Sequence, residues 1–240
     1  QISNIDDIQN YYIQTGTQIN SSIDLRTTDS PIDDQGSLGS CSANAFVNVY
    51  ENMLLSSGET DFEDLSRLFL YYNSRILEES VESDNGVIEL KSTLDAATEY
   101  GVCTEELWPY QANTFSTTPS SDAYSDALQR RIPSYEFIAN DDAMREVMSL
   151  YSKPVLIGMY VFEDFMRANK ENYIIPMPND TEFSLGGHAV AVVGYTDNKD
   201  FIIKNSFGVD WGNDGYAVLP KEYSERYIFD RWHIAIPEKV

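Results

Sequence analysis

The chain has 240 residues, 42% of them hydrophobic, enough to bury a sizeable core as one large domain or two small ones. With 39 Asp and Glu against 16 Lys and Arg the formal charge is −23, and no basic face remains to neutralise phosphates, so no nucleic-acid partner is expected. No apolar run reaches the ~18 residues of a membrane helix, so no membrane partner is expected either.

The first residues lack the basic-then-apolar layout of a signal peptide, so any targeting segment would lie outside this sequence and the compartment is left open. The acid excess suits solubility or work at low pH, and a plain solvated surface explains it equally. Residues 1 to about 20 are polar and without periodicity apart from Tyr11-Tyr12-Ile13, and are expected to be an extension outside the domain. From Ile23 the chain reads as extended, broken by Pro31, and leads into Gln35-Gly36-Ser37-Leu38-Gly39-Ser40-Cys41. Two glycines relieve the backbone of a sharp turn there, and Cys41 opens an apolar helical run that Ser56-Ser57-Gly58 ends. A thiol at a helix N-terminus is favoured as thiolate, its nucleophilic form. Taken alone, Cys41 reads equally as a buried cysteine on a core-facing helix.

Further helices are expected from Leu90 to Tyr100, with apolar residues at 90, 94 and 97, and from Asp122 to Gln129. Before and between them lie the loop Asp84-Asn85-Gly86-Val87-Ile88, the packing element Leu107-Trp108-Pro109-Tyr110 and a Ser/Thr/Pro-rich loop over 111–121. Beyond Arg131 the pattern turns to strands: 132–138, 154–161, the run after His188, 201–204, 215–219 and 232–236. One helix interrupts them at Asp141–Tyr151, and two aspartates at its start are expected to cap it. This half is expected to close as a small barrel. His233, among apolar residues beside Trp232, reads as a satisfied structural histidine, and Cys103 as a small packed residue.

Ser184-Leu185-Gly186-Gly187-His188 puts one of only two histidines at the mouth of an apolar strand, and Asn205 follows the next. The turn Asp197-Asn198-Lys199-Asp200 makes these strands an antiparallel hairpin, so His188 and Asn205 lie side by side. A cysteine, a histidine and an asparagine supply a nucleophile, its base and an orienting group.

From about Ile19 to Pro237 the chain resembles the papain-like cysteine peptidases, on Gln35, the turn closed by Cys41, His188, Asn205-Ser206-Phe207-Gly208 and Ile23-Asp24-Leu25-Arg26. The resemblance implies an α+β, two-lobed fold: a helical lobe over about 21–130, an antiparallel barrel over about 131–240, and a cleft between them. It implies Cys41 as nucleophile, His188 as base, Asn205 as orienter and Gln35 as oxyanion donor, with no metal or cofactor. Asn85, Gly86 and Val87 would form one cleft wall. Gly158, Gly186 and Gly187 would line a roomy, neutral second subsite for large apolar or aromatic side chains. Residues 1–20 would be the remnant of an inhibitory propeptide, Tyr11-Tyr12-Ile13 lying in the cleft. We expect a monomeric endopeptidase acting on polypeptides.

Leu38, Ser42 and Phe207 stand where the family has Cys, an aromatic residue and Trp, so one half of a structural disulfide is missing and no disulfide is expected. Two alternatives remain open. One is a catalytically silent binding module. The other is an exopeptidase, although no histidine-bearing insertion appears within 104–130.

Overall fold

The computed structural model describes residues 18–58 and 62–237. In chain order these form β1 (Ile23–Asp24), α1 (Cys41–Ser56), α2 (Arg67–Leu77), α3 (Leu90–Glu99), α4 (Ser121–Ala127), β2 (Tyr135–Phe137), α5 (Asp141–Tyr151), β3 (Val155–Val161), α6 (Glu163–Met166), β4 (Gly186–Tyr195), β5 (Phe201–Lys204), β6 (Tyr216–Leu219), α7 (Lys221–Tyr227) and β7 (Ile228–Ile234). The Tyr11-Tyr12-Ile13 expectation falls outside the described residues.

The strands form one antiparallel sheet in the order β2-β7-β3-β4-β5-β6, with β1 paired to β4. The fold is α+β, but the sheet does not close as a barrel. β2 and β6 end the strand path, and no pairing joins them among the described residues. A loop takes up the outer edge of β6: Val218 N donates to Tyr173 O at 2.8 Å and Ile175 N to Val218 O at 2.9 Å. At the other end β2 is only three residues long, ending in the half-exposed Phe137.

β4 is buried on both faces, which is why it reads as an unbroken apolar run. Its Ala189, Ala191 and Val193 join a core with α1, α2 and α3, while Val190, Val192 and Tyr195 join one with α5, β3 and α7. Helix α1 is buried along 42–53 because α2 and α3 cover one side and β4 the other. That position carries Cys41, its first residue, to the start of β4, where it is hydrogen-bonded to His188. The cap of α5 differs from expectation. Asn140 is the cap, accepting from Ala143 N at 2.9 Å, whereas Asp141 is buried and takes bonds from Arg231 Nε at 2.8 Å and Ser224 Oγ at 2.6 Å.

Within α1, Glu51 is 1% exposed and accepts from Leu65 N at 2.9 Å. Burial pushes its carboxyl up to about 8, against the pull of hydrogen bonds from Ser30 and Leu65. The folded chain therefore keeps a proton that the unfolded chain releases near pH ~4.3. This stabilising share is complete below that value and is lost as pH rises toward about 8. Glu51→Gln keeps the acceptor for Leu65 and has no charge to bury. Between about pH 5 and pH 8, urea midpoints should fall less for the variant than for the parent. Parallel declines would contradict this.

Candidate functional site

The nucleophile turn is built by backbone approach. Gly36 has φ +58°, and a Cβ on Gly39 would stand 2.6 Å from Gly86 N, so the turn and the 84–88 loop touch backbone to backbone. Asp84 Oδ1 fastens the contact, accepting from Gly39 N at 3.0 Å and Tyr71 Oη at 2.7 Å. Leu38, where the family has a disulfide cysteine, is buried in the core, and both cysteines are free. Ser42 is buried as well, accepting from Thr93 Oγ1 at 2.9 Å.

On the other side the turn is tied to the segment after β5. Gln35 N donates to Ser206 O at 2.8 Å and Gly208 N to Asp33 O at 2.9 Å. The Gln35 amide is held at both atoms, Oε1 accepting from Ser206 Oγ at 2.6 Å and Nε2 donating to Leu38 O at 2.9 Å. One Nε2 hydrogen is left for another acceptor. Tyr110 does more than pack: its Oη donates to Gln35 O at 2.9 Å and lies 2.5 Å from Ser40 Oγ. Ser40 does not cap α1 with its side chain.

His188, near the start of β4, and Asn205, just past β5, are buried. His188 Nε2 lies 2.7 Å from Asn205 Oδ1. An amide oxygen only accepts, so Nε2 carries the hydrogen and Nδ1 is left for Cys41, with which His188 is hydrogen-bonded. The imidazole lies tilted at 34° to Phe207, centroids 4.9 Å apart, and makes an edge contact with Phe165 at 5.5 Å. Phe165 is fixed in turn by Trp211, whose Nε1 donates to its carbonyl at 2.8 Å. Burial alone would push the Cys41 thiol up, but the hydrogen bond and charge of His188, with N–H groups of Ala189 and Ser42, bring it below the usual thiol range. His188 moves oppositely: burial would lower it, but Cys41 and Asn205 raise it. Both shifts run in the direction that favours a thiolate and an imidazolium.

A cavity of about 270 Å³ opens beside this pair. Of the residues named from the sequence, Asn85, Val87, Gly158 and Gly187 line it, while Gly86 packs on Gly39. Ile88, from the same loop as Asn85 and Val87, and Ser42 line it too, as do Phe229, Leu90 and Ala189, which the sequence reading missed. Phe229 also corrects the roomy subsite, because its ring lies against both glycines. His233 sits elsewhere, stacked on Tyr151 at 5.2 Å and pushed down to about 4 by burial. Cys103 is buried with Phe69, Ala123 and Ala127, and burial pushes its thiol up to about 12. Among the described residues no cluster of His, Cys, Asp and Glu could hold a metal ion.

The sequence profile described as papain family cysteine protease matches residues 19–232. An uncharacterized peptidase C1-like protein of Acanthamoeba polyphaga mimivirus is 36% identical over 213 residues, 84% of this chain and 68% of that protein. Cathepsin K of Gallus gallus is 27% identical over 206 residues, 81% of this chain and 56% of that protein. Among solved structures, xylellain, a cysteine protease from Xylella fastidiosa, superposes with a TM-score of 0.83 at 30% identity, over 92% of this chain and 88% of that one. The chain belongs to the papain family of cysteine proteases.

The opposed shifts at Cys41 and His188 set an expectation for alkylation. Cys41 should keep reacting with iodoacetamide well below the pH at which a free thiol stops, and His188→Ala should restore ordinary thiol behaviour. Cys103 should stay unlabelled until the chain is unfolded. Peptide mass spectrometry after timed alkylation checks both, and equal rates at the two cysteines would contradict them.

Proposed function

We propose that the protein is a cysteine endopeptidase that cuts polypeptides through a thioester acyl-enzyme. The observation that carries this reading is the constellation of Cys41 at the start of α1, hydrogen-bonded to His188, which is bonded to Asn205 at 2.7 Å. Cys41 Sγ attacks the scissile carbonyl carbon. The oxyanion takes hydrogen bonds from the Cys41 N–H and the free Nε2 hydrogen of Gln35. As the tetrahedral intermediate collapses, the C–N bond breaks and His188 gives its proton to the departing amine. A water then loses a proton to His188 and attacks the thioester, releasing the acid and restoring the thiolate.

Asn205 keeps the imidazole plane and tautomer without adding charge, and Phe207 covers that hydrogen bond. Support for internal cleavage over exopeptidase action comes from the histidines. His188 is engaged with Cys41 and Asn205, and His233 is stacked on Tyr151 and does not line the cavity, so neither is placed to hold a substrate's terminal carboxylate. The lobes over about 21–130 and 131–240 would supply the two cleft walls.

Cys41→Ala and His188→Ala should abolish hydrolysis of an internally quenched peptide, and Gln35→Ala should cost ~10²–10³ in turnover. Asn205→Ala should lower it, while His233→Ala should leave the chemistry intact. Activity surviving Cys41→Ala would sink the assignment. We also propose that residues 1 to about 20 restrain the enzyme. Deleting residues 1–18 should then raise the initial rate and remove any lag, and an unchanged rate and unchanged labelling at Cys41 would argue for an inert tail.

A further inference from the structure

A chain of hydrogen bonds runs behind the nucleophile turn, through four residues that do not line the cavity. Asn44 Nδ2 donates to Ser40 Oγ at 3.0 Å and to Ser40 O at 2.9 Å, Ser40 Oγ lies 2.5 Å from Tyr110 Oη, and Tyr110 Oη donates to Gln35 O at 2.9 Å. Its two ends admit only one direction. The Ser40 carbonyl can only accept, so the Asn44 atom facing it is the nitrogen, and an amide nitrogen only donates. At the far end the Gln35 carbonyl only accepts. Each hydroxyl between them therefore accepts one bond and passes its own hydrogen on, Ser40 Oγ to Tyr110 Oη and Tyr110 Oη to Gln35 O. Asn44 and Ser40 are 0% exposed, so bulk solvent does not compete for these bonds.

The chain joins the sources of the two oxyanion donors. The Cys41 N–H belongs to the Ser40–Cys41 peptide, which is a rigid trans plane. Ser40 O points opposite to that N–H and is held by Asn44 N at 3.0 Å as well as by Asn44 Nδ2, which sets the direction of the Cys41 N–H. The second donor, Gln35 Nε2, hangs from the residue whose carbonyl Tyr110 holds. Tyr110 is steadied from behind in turn. The Arg67 guanidinium lies over its ring, 5.0 Å from the centroid, and is paired with Asp33, two residues before Gln35. Glu105 Oε1 accepts from Tyr110 N, and Glu105 Oε2 lies 3.6 Å from Arg67 Nη2. The phenol thus stands fixed between the beginning and the end of the turn.

We infer that Tyr110 is a positioning residue for the oxyanion site: its hydroxyl, within the Asn44–Ser40–Tyr110–Gln35 chain, fixes the separation of the Cys41 N–H and the Gln35 amide that receive the oxyanion. This rests on the endopeptidase reading. The hydroxyl touches no substrate and acts only through the turn. Without it Ser40 Oγ and Gln35 O each lose a partner, and the two ends of the turn are free to shift apart. A displaced donor stabilises the tetrahedral intermediate less than an aligned one but more than none, so the loss falls short of the ~10²–10³ that removing a donor costs. A reaction that develops no oxyanion escapes the loss. When Cys41 Sγ displaces iodide from iodoacetamide, the S–C bond forms as the C–I bond breaks, and the amide oxygen gains no charge.

The test is Tyr110→Phe, which keeps the ring under Arg67 and removes only the hydroxyl. On an internally quenched peptide kcat should fall ~10-fold with KM unchanged, while Cys41 alkylation by iodoacetamide stays within about twofold of the parent's rate. A peptide aldehyde reads the oxyanion site without turnover, because addition of Cys41 Sγ to its carbonyl carbon moves the carbonyl π pair onto oxygen. Its affinity, measured by protection of Cys41 from alkylation, should fall by the same ~10-fold. Tyr110→Phe combined with Gln35→Ala should lose well under the product of the two single losses, since both act on one site. Ser40→Ala breaks the chain one link earlier without removing a helix cap, should show the same pattern, and decides the matter if Tyr110→Phe does not fold. An unchanged kcat, an unchanged aldehyde affinity, an equal loss of alkylation rate, or losses that multiply with that of Gln35→Ala would overturn the inference. A parent that cleaves no peptide, with aldehyde affinity still lowered in Tyr110→Phe and alkylation unchanged, would strike the endopeptidase reading and leave the role of Tyr110 standing.

Discussion

A buried ammonium group holds the site together. Lys204 Nζ lies 3.3 Å from Asp29 Oδ1 and donates to Ser30 O and Ser30 Oγ at 2.8 Å, with the two charged side chains 0% and 1% exposed. Lys204 is the last residue of β5 and immediately precedes Asn205, while residues 29–35 lead to the nucleophile turn. The same hydrogen-bonded seam continues through Gly208 to Asp33 and Gln35 to Ser206. Such a pair contributes little net stability over an apolar replacement, but losing one partner strands a buried charge at ~3–5 kcal/mol. Its value is geometric: it fixes the strand that carries Asn205 against the segment that delivers Cys41.

Given that placement, electrostatics follow from distance. A charge of −23 works against forming a thiolate, but charges more than ~8–10 Å away through solvent are largely screened. One imidazolium at ~4 Å contributes about 4 kcal/mol at an effective dielectric near 20, and the helix N-terminus adds ~0.3–1 kcal/mol. The local partner outweighs the distant majority, and the ring's own charge is stabilised by the thiolate it faces. Phe165, Phe207 and Trp211 keep water from this exchange, and Phe165 and Trp211 are buried themselves.

Much of this is legible in the sequence because it is local. Gly36 and Gly39 announce a tight turn, Cys41 opens an apolar helical run, and the alternation hidden in β4 shows as a continuous hydrophobic stretch that starts at His188. Contacts made by long-range packing leave no such trace. Tyr110 lies in an aromatic-Pro-Tyr element that reads as filler until its hydroxyl is found on Gln35 and Ser40. Phe229 sits two residues inside a short helix-to-strand junction, and only the bulge against β3 sends it into the cleft. Barrel closure fails for the same reason: strand pattern counts strands, but it does not show that the 173–175 loop occupies the free edge of β6. The two aspartates at the start of α5 read as its caps, but Asp141 is buried against Arg231 and Ser224, and Asn140 caps the helix instead.

Cys41 and His188 each displace the other's titration in the direction of an ion pair. The direct measurement is a difference potentiometric titration of the native protein against the same protein with Cys41 blocked, read alongside the ultraviolet absorbance of the thiolate. The account predicts two coupled steps, a thiolate appearing below the ordinary thiol range and an imidazolium persisting above the ordinary histidine range. A Cys41 that titrates as a free thiol, with His188 already neutral at pH ~7, would contradict it.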